Sequence, residues 1–317
     1  TKPRMDQALF NSYVNKQKST LQYLRQNPRV FFQDTVSRIV YSNNPWALKI
    51  PTDKEYANLN PDKVIDIYKQ IFGNADGMHF TFVGNIDVNT VKPLLEKYLG
   101  SLPSKPEAHL FKDNNIRPVK GMVEANIKKG KEAQSLIAVL FTGETQYNQE
   151  DNLKLQALIE VLNIKVIEKL REEMSGIYGG GFSGSIQKRP YVHYAVSATL
   201  PCGPENVDKL TVALFDLIRN IQANGIDEKD LNKVKETWKK QYEVSLQSND
   251  AWLNNLSQAF INQTDPHTIL EYEQKVNALT KDDVKQAAQK YLTMNNFVKA
   301  VLYPENTKLN DQPKKAF

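Results

Sequence analysis

Apolar residues recur along the chain with two different periods, and the switches between them lay out its elements. Leu155, Leu158, Ile159, Leu162, Val166 and Leu170 follow one another at three- and four-residue steps, the spacing of one buried helix face. From Tyr191 to Leu200 the period drops to two: Val192, Tyr194, Val196, Ala198 and Leu200 alternate with smaller or polar residues, as in a half-buried strand. Helical spacing also predicts helices over Met5 to Gln26, from Pro28 to Val40, from Pro61 through Ile71, over Val88 to Leu99, and near Glu205–Ala223, Glu228–Gln247, Ala251–Asn262 and Asp282–Leu292. Strands are expected at Met78–Val83, Met122–Lys128, Ser135–Phe141 and Phe297–Tyr303. The stretch from Tyr41 to Asn58 reads as a loop. The segment from Ser101 to Pro118, with prolines and no period, reads as an interdomain linker. Hairpin-joined strands followed by a run of helices point to an α+β layer, an antiparallel-rich sheet covered by helices, rather than a doubly wound parallel sheet.

The pattern repeats. Leu59, Asp62 and Val64 return as Leu279, Asp282 and Val284, Asn27 and Phe31 as Asn249 and Leu253, Met5, Asp6 and Phe10 as Ile226, Asp227 and Leu231, and His79–Asn85 as Val298–Pro304, all displaced by 219 to 222 residues. The second copy begins near Lys120, well ahead of the position that answers to residue 5. The first copy therefore reads as lacking its front half, and the chain as part of a longer protein. The expected division is a truncated domain over 1–104, a linker over 105–119, a complete domain over 120–306 and a tail over 307–317.

Composition narrows the function. At 317 residues, 40% apolar and 24% charged, the chain has the make-up of a globular protein of about two domains. Its five excess positive charges are scattered, without an aromatic-interleaved basic stripe, which argues against nucleic acid. No apolar run reaches the length of a membrane span. A single cysteine, Cys202, excludes an internal disulfide. His79, His109, His193 and His267 stand apart, and no two are spaced as helical metal ligands, so no metal site is expected in this chain.

The candidate chemistry lies between Lys169 and Gly184, where the helical period ends and the strand period begins. Arg171 falls in the last helical turn. Tyr178 opens the strand region, and four glycines crowd the next six residues. Gly179, Gly181 and Gly184 satisfy G-x-G-x-x-G literally, but that loop must follow a strand and open a helix, the reverse of the order here. The glycines suit close backbone approach, or an irregular sheet edge with which another chain could pair. Glu172 and Glu173, without histidine neighbours, read as a solvated helix end.

Phe82-Val83-Gly84-Asn85-Ile86-Asp87, the stretch Leu94 to Pro103, and Leu170-Arg171-Glu172-Glu173 with Tyr178 together resemble the pitrilysin/insulinase-type zinc peptidases, which carry an inverted H-x-x-E-H motif. Over about residues 5 to 305 the chain is similar to the back of the third and the whole of the fourth of that family's domains, nearest to its long bacterial members. The resemblance implies that Arg171 and Tyr178 reach across a chamber to the substrate, with Gly179, Gly180, Gly181 and Phe182 lining the contact. It also implies that the zinc sits in the N-terminal half of the same polypeptide, that the substrates are peptides, and that the compartment is the bacterial periplasm or envelope. A structural or assembly subunit of the same fold is the alternative.

Overall fold

The structure is a computed structural model that describes residues 3–106 and 112–308. In chain order the elements are α1 (Gln7–Gln26), α2 (Pro28–Val40), α3 (Asp53–Ala57), α4 (Pro61–Phe72), α5 (Val88–Tyr98), β1 (Met122–Lys128), β2 (Ser135–Glu144), α6 (Gln149–Lys165), β3 (Gly181–Gln187), β4 (His193–Cys202), α7 (Val207–Asn224), α8 (Glu228–Ser245), α9 (Asn249–Asn262), α10 (Tyr272–Ala278), α11 (Lys281–Tyr291) and β5 (Phe297–Tyr303). They gather into two compact units. Unit 1 holds residues Thr1–Arg25, Ile50–Asn114 and Val244–His267, and unit 2 holds Gln26–Lys49, Asn115–Glu243 and Thr268–Phe317.

Unit 2 is built on one five-stranded sheet, in the order β1-β5-β2-β4-β3. β1 runs parallel to β5, and the other three pairings are antiparallel. This is the expected α+β architecture. Alternation on β2 and β4 sends Ile137, Val139, Phe141, Val196, Ala198 and Leu200 to one face, where they meet the buried stripes of α6, α7 and α11. The opposite face is covered by α2, whose Phe32 joins Ile127, Ala300 and Leu302 in a second, smaller cluster. β5 lies between β1 and β2 and gives residues to both clusters, which explains why it is buried along its whole length.

Unit 1 is helical among its described residues. Local signals set its ends: Asn60 accepts from the amides of Asp62 and Lys63 ahead of α4, and Asp87 accepts from Thr90 ahead of α5. Two expectations fail here. The loop-like stretch contains α3, started by a reciprocal Thr52–Glu55 capping box. The expected strand at Met78–Val83 is irregular, because a strand exists only by pairing and unit 1 offers no ladder partner among the described residues. His79 instead stacks on Phe260 of α9, with ring centroids 3.5 Å apart. Beside it an apolar cavity of about 540 Å³ opens between Phe82, Ile86, Val91 and Leu95 on one side and Trp252 and Leu256 of α9 on the other.

Elements that answer to each other across the repeat keep their order: α1 with α8, α2 with α9, α4 with α11, and 79–85 with β5. The sorting into units is crossed at one pair. α2 belongs to unit 2, whereas its counterpart α9 belongs to unit 1.

Candidate functional site

The site is built where α6 ends. Asn148 caps this helix by accepting from the Glu150 amide, and Glu150 and Asp151 favour its positive end. Leu155, Leu158, Ile159 and Leu162 seat it on the sheet. After Lys165 the helix widens without a break into a π-helical run, Val166–Glu173, still anchored by buried Val166 and Leu170. Wide helical turns are rare and concentrate at functional positions. Ion pairs fasten the point of widening: Lys165 Nζ lies 2.7 Å from buried Asp230 and 3.2 Å from Glu168, and Lys233 reaches the same two carboxylates at 3.6 and 3.5 Å. Burial pulls the Lys165 ammonium down, but its hydrogen bonds to Asp230 and Glu168 outweigh this and raise its pKa.

Arg171 leaves the last turn of this wide segment and is exposed. Ser175 then takes a left-handed conformation, φ 48°, and the Gly176 amide donates to the Leu170 carbonyl at 3.0 Å, closing the helix end. A Cβ on Gly176 would come within 2.6 Å of the Leu210 side chain, which would have to shift to admit it. Buried Ile177 bridges to Cys202, and the Tyr178 amide donates to the Pro201 carbonyl at 3.2 Å. Tyr178 is therefore fixed by its backbone to the end of β4 rather than opening a strand. β3 begins three residues later. Its side chain is 73% exposed. Neither the Arg171 guanidinium nor the Tyr178 hydroxyl has a hydrogen-bond or ion-pair partner among the described residues.

The glycines divide by environment. Gly179 faces open space, whereas a Cβ on Gly180, at φ 91°, would strike the Thr199 carbonyl, and one on Gly181 would strike the Asn163 side chain. Phe182 turns its ring into the core. Its backbone is held by Asn163, which accepts from the Phe182 amide at 2.6 Å and donates to the Phe182 carbonyl at 3.1 Å. Two more α6 side chains continue this contact along β3: Gln156 donates to the Gly184 carbonyl at 2.8 Å, and Asn152 accepts from the Ile186 amide at 3.1 Å. β3 is an outer strand, so these amides occupy the edge that another chain would need for pairing. In the sequence Asn152, Gln156 and Asn163 show only as polar residues four and seven apart beside the apolar stripe.

The remaining candidates lie elsewhere. His193 opens β4, eight residues from Pro201 and so about 26 Å away along the strand. It stacks on Tyr191 at 4.4 Å and shares a 2.8 Å hydrogen bond with that residue's carbonyl, while the Arg117 guanidinium lies 3.5 Å from the centre of the Tyr191 ring. His267 is exposed beside Asp265, and His109 lies outside the described residues. Among the described residues no three His, Cys, Asp or Glu side chains converge as a metal site would require, so the donor set does not fit zinc. Burial pushes the Cys202 thiol up to about 12, which removes it as a nucleophile at neutral pH. What the helix end presents is a set of donors: one guanidinium, one phenol and glycine amides. Such a set can hold carbonyl or carboxylate oxygens. The same helix end also carries the exposed carboxylates of Glu172 and Glu173.

A family model described as the peptidase M16 inactive domain matches residues 58–237. The chain belongs to the M16 peptidase family. M16 relatives include the probable zinc protease PqqL of Haemophilus influenzae, 25% identical over 264 residues that make up 82% of this chain and 28% of the relative. The PqqL of Escherichia coli is 21% identical over 90% of this chain and 30% of its own length. The chain thus spans about a third of the curated M16 relatives that it matches. Among solved structures, the periplasmic protease PqqL from Escherichia coli superposes with a TM-score of 0.82 at 21% identity, covering 95% of this chain and 33% of that one. A peptidase M16 inactive domain from Pseudomonas fluorescens does so at 0.79 and 15%, covering 98% and 73%. These likenesses bear on the fold. No helix among the described residues is long and apolar enough to cross a membrane.

Proposed function

We propose that this chain is the non-zinc-binding C-terminal part of a zinc metallopeptidase and forms the chamber wall opposite the metal. The zinc, the activation of water and the polarisation of the scissile carbonyl belong in this reading to the N-terminal half of the same polypeptide. Arg171 and Tyr178 donate hydrogen bonds to substrate carbonyls or to the oxyanion, and the backbone from Gly179 to Phe182 lines the peptide's path, with Gly179 the residue most open to it. The observation that carries the reading is the exposed donor pair, without partners among the described residues, held on a helix end and a strand end. The partner is the N-terminal half, the substrates are peptides, and the compartment is the periplasm, the location given for the PqqL neighbour. We further propose that residues 1–104 are a partial domain, joined to a complete one over 120–306; most of the expected tail over 307–317 and part of the expected linker over 105–119 lie outside the described residues. The exposed apolar side of the partial domain is covered by polypeptide that precedes it in the parent.

Tyr178→Phe in the full-length enzyme tests the site. Removal of one donor to developing charge lowers kcat and kcat/KM together by about a hundred- to a thousandfold, with ground-state affinity nearly unchanged. Full activity in that variant, with a lowered melting temperature, would instead favour a structural or assembly subunit of the same fold.

A further inference from the structure

Arg171 and Tyr178 come from different elements, a helix end and a strand end, and the chain between them contains a left-handed serine and a run of glycines. Such a segment does not hold an angle by itself. Two ties found in the structure set it. Tyr178 hangs from Pro201 on β4, and the segment beyond it is tied back to α6 by Asn163.

Asn163 stands two residues before Lys165, where the ion pairs of Asp230 and Glu168 fasten the widening of the helix that carries Arg171. Its amide makes both hydrogen bonds that the outward backbone of Phe182 can form, and it occupies the space that a Cβ on Gly181 would fill. A primary amide is the side chain that can donate and accept in this paired way. Aspartate could only accept, leucine of similar size could do neither.

We propose that Asn163 is a positioning residue: it indexes the segment Tyr178–Phe182 to the helix bearing Arg171, so that the two donors keep one geometry toward the substrate. The inference rests on the role proposed above for that donor pair. Its distinct content is that the amide ladder on β3 is there to aim the donors, in addition to closing a sheet edge. Displacement of a catalytic contact by about 1 Å is enough to cost about a hundredfold in rate.

The test is a double-mutant cycle in the full-length peptidase, with amide exchange in this chain as a second readout. Asn163→Ala is expected to lower kcat about 10- to 100-fold with little change in KM. In a Tyr178→Phe background the same change is expected to lower kcat less than about threefold, because its target is already gone. Equal losses in both backgrounds, or a lower melting temperature with kcat intact, would overturn the inference. If Asn163→Ala does not fold, Asn163→Asp retains the shorter bond and should show the same coupling at smaller amplitude. Exchange of the Phe182 amide should quicken at least about tenfold in the variant, while the β5 amides keep their rate. Unchanged exchange at Phe182 would refute the tie itself, whatever Tyr178 does. Tyr178→Phe with full activity, alongside quickened exchange, would sink the donor role and leave the tie standing.

Discussion

Helices α4 and α11 lie 220 residues apart, carry matching apolar positions, and have opposite surroundings. Val64 is 42% exposed and its counterpart Val284 is fully buried; Phe72 is 54% exposed and its counterpart Leu292 fully buried. What differs is what stands beside them. In unit 2, α11 packs against α6, α7 and the sheet, and β5 runs between β1 and β2 with ladder partners on both sides. In unit 1 the stretch answering to β5 has no ladder, and a cavity lies alongside it. The same helix pattern therefore does not guarantee a core. An amphipathic face only states a demand, and the strands and the second helix that meet it have to come from elsewhere in the chain.

The largest expected effect is in amide exchange. On this chain the β5 amides of Val298 to Leu302 should exchange at least about a thousandfold more slowly than those of Phe80 to Val83, since the former open only with unit 2 as a whole. In the full-length protein the Phe80–Val83 amides should gain protection approaching that of β5. Equal rates in this chain would break the comparison, and unchanged rates in the longer one would remove the proposal that preceding polypeptide covers unit 1.

Truncation at matched positions gives the next effect. Leu292→Ala should cost about 2–5 kcal/mol in denaturant melts of unit 2, as a fully buried leucine that leaves a cavity. Phe72→Ala should change the stability of this chain by no more than about 0.5 kcal/mol. A large loss from Phe72→Ala would show that its helix face is already engaged.

The smallest effect concerns acid. Burial pushes the Asp283 carboxyl up, but hydrogen bonds from Lys154 and from Thr280, which it meets in a capping box, outweigh burial and hold it below its ordinary value. A depressed carboxyl pKa adds stability that is present above the unfolded value, near about 4, and is lost as pH falls through the folded one. The matching position of α4 is Lys63, which has no such group. Asp283→Asn should therefore destabilise unit 2 by about 1 kcal/mol at neutral pH. The difference from the unmodified chain should shrink to nothing in strong acid. A variant whose deficit persists there would place the effect in packing rather than charge.

What the sequence made legible follows the same line. Period and caps were enough for α1, α2, α4, α5, α6 and β5, because those signals are local. Phe80 and Phe82 were misread as strand because pairing is decided by residues far away in the chain. α3 was missed although Thr52 and Glu55 spell its capping box, since it sits in a stretch with no apolar period to draw attention. Arg171 and Tyr178 stood out by spacing and by likeness to relatives. The widening of the helix beneath Arg171 has no local signature, and the pairing of Lys165 with Asp230 of α8 beside it joins residues far apart in the chain. Asn163 looked like one more polar helix residue until its partner on β3 was known.

The crossing of α2 and α9 bears on how the protein is made. Unit 1 takes in residues 244–267, so its helix α9 leaves the ribosome after α1, α3, α4 and α5 and after four of the five strands of unit 2. At about 5–20 residues per second, the earlier part of unit 1 waits on the order of ten seconds or more for α9, and until then His79 lacks the Phe260 ring on which it stacks. For that interval the order of synthesis, and not the pattern of either helix, decides which contacts of unit 1 can form.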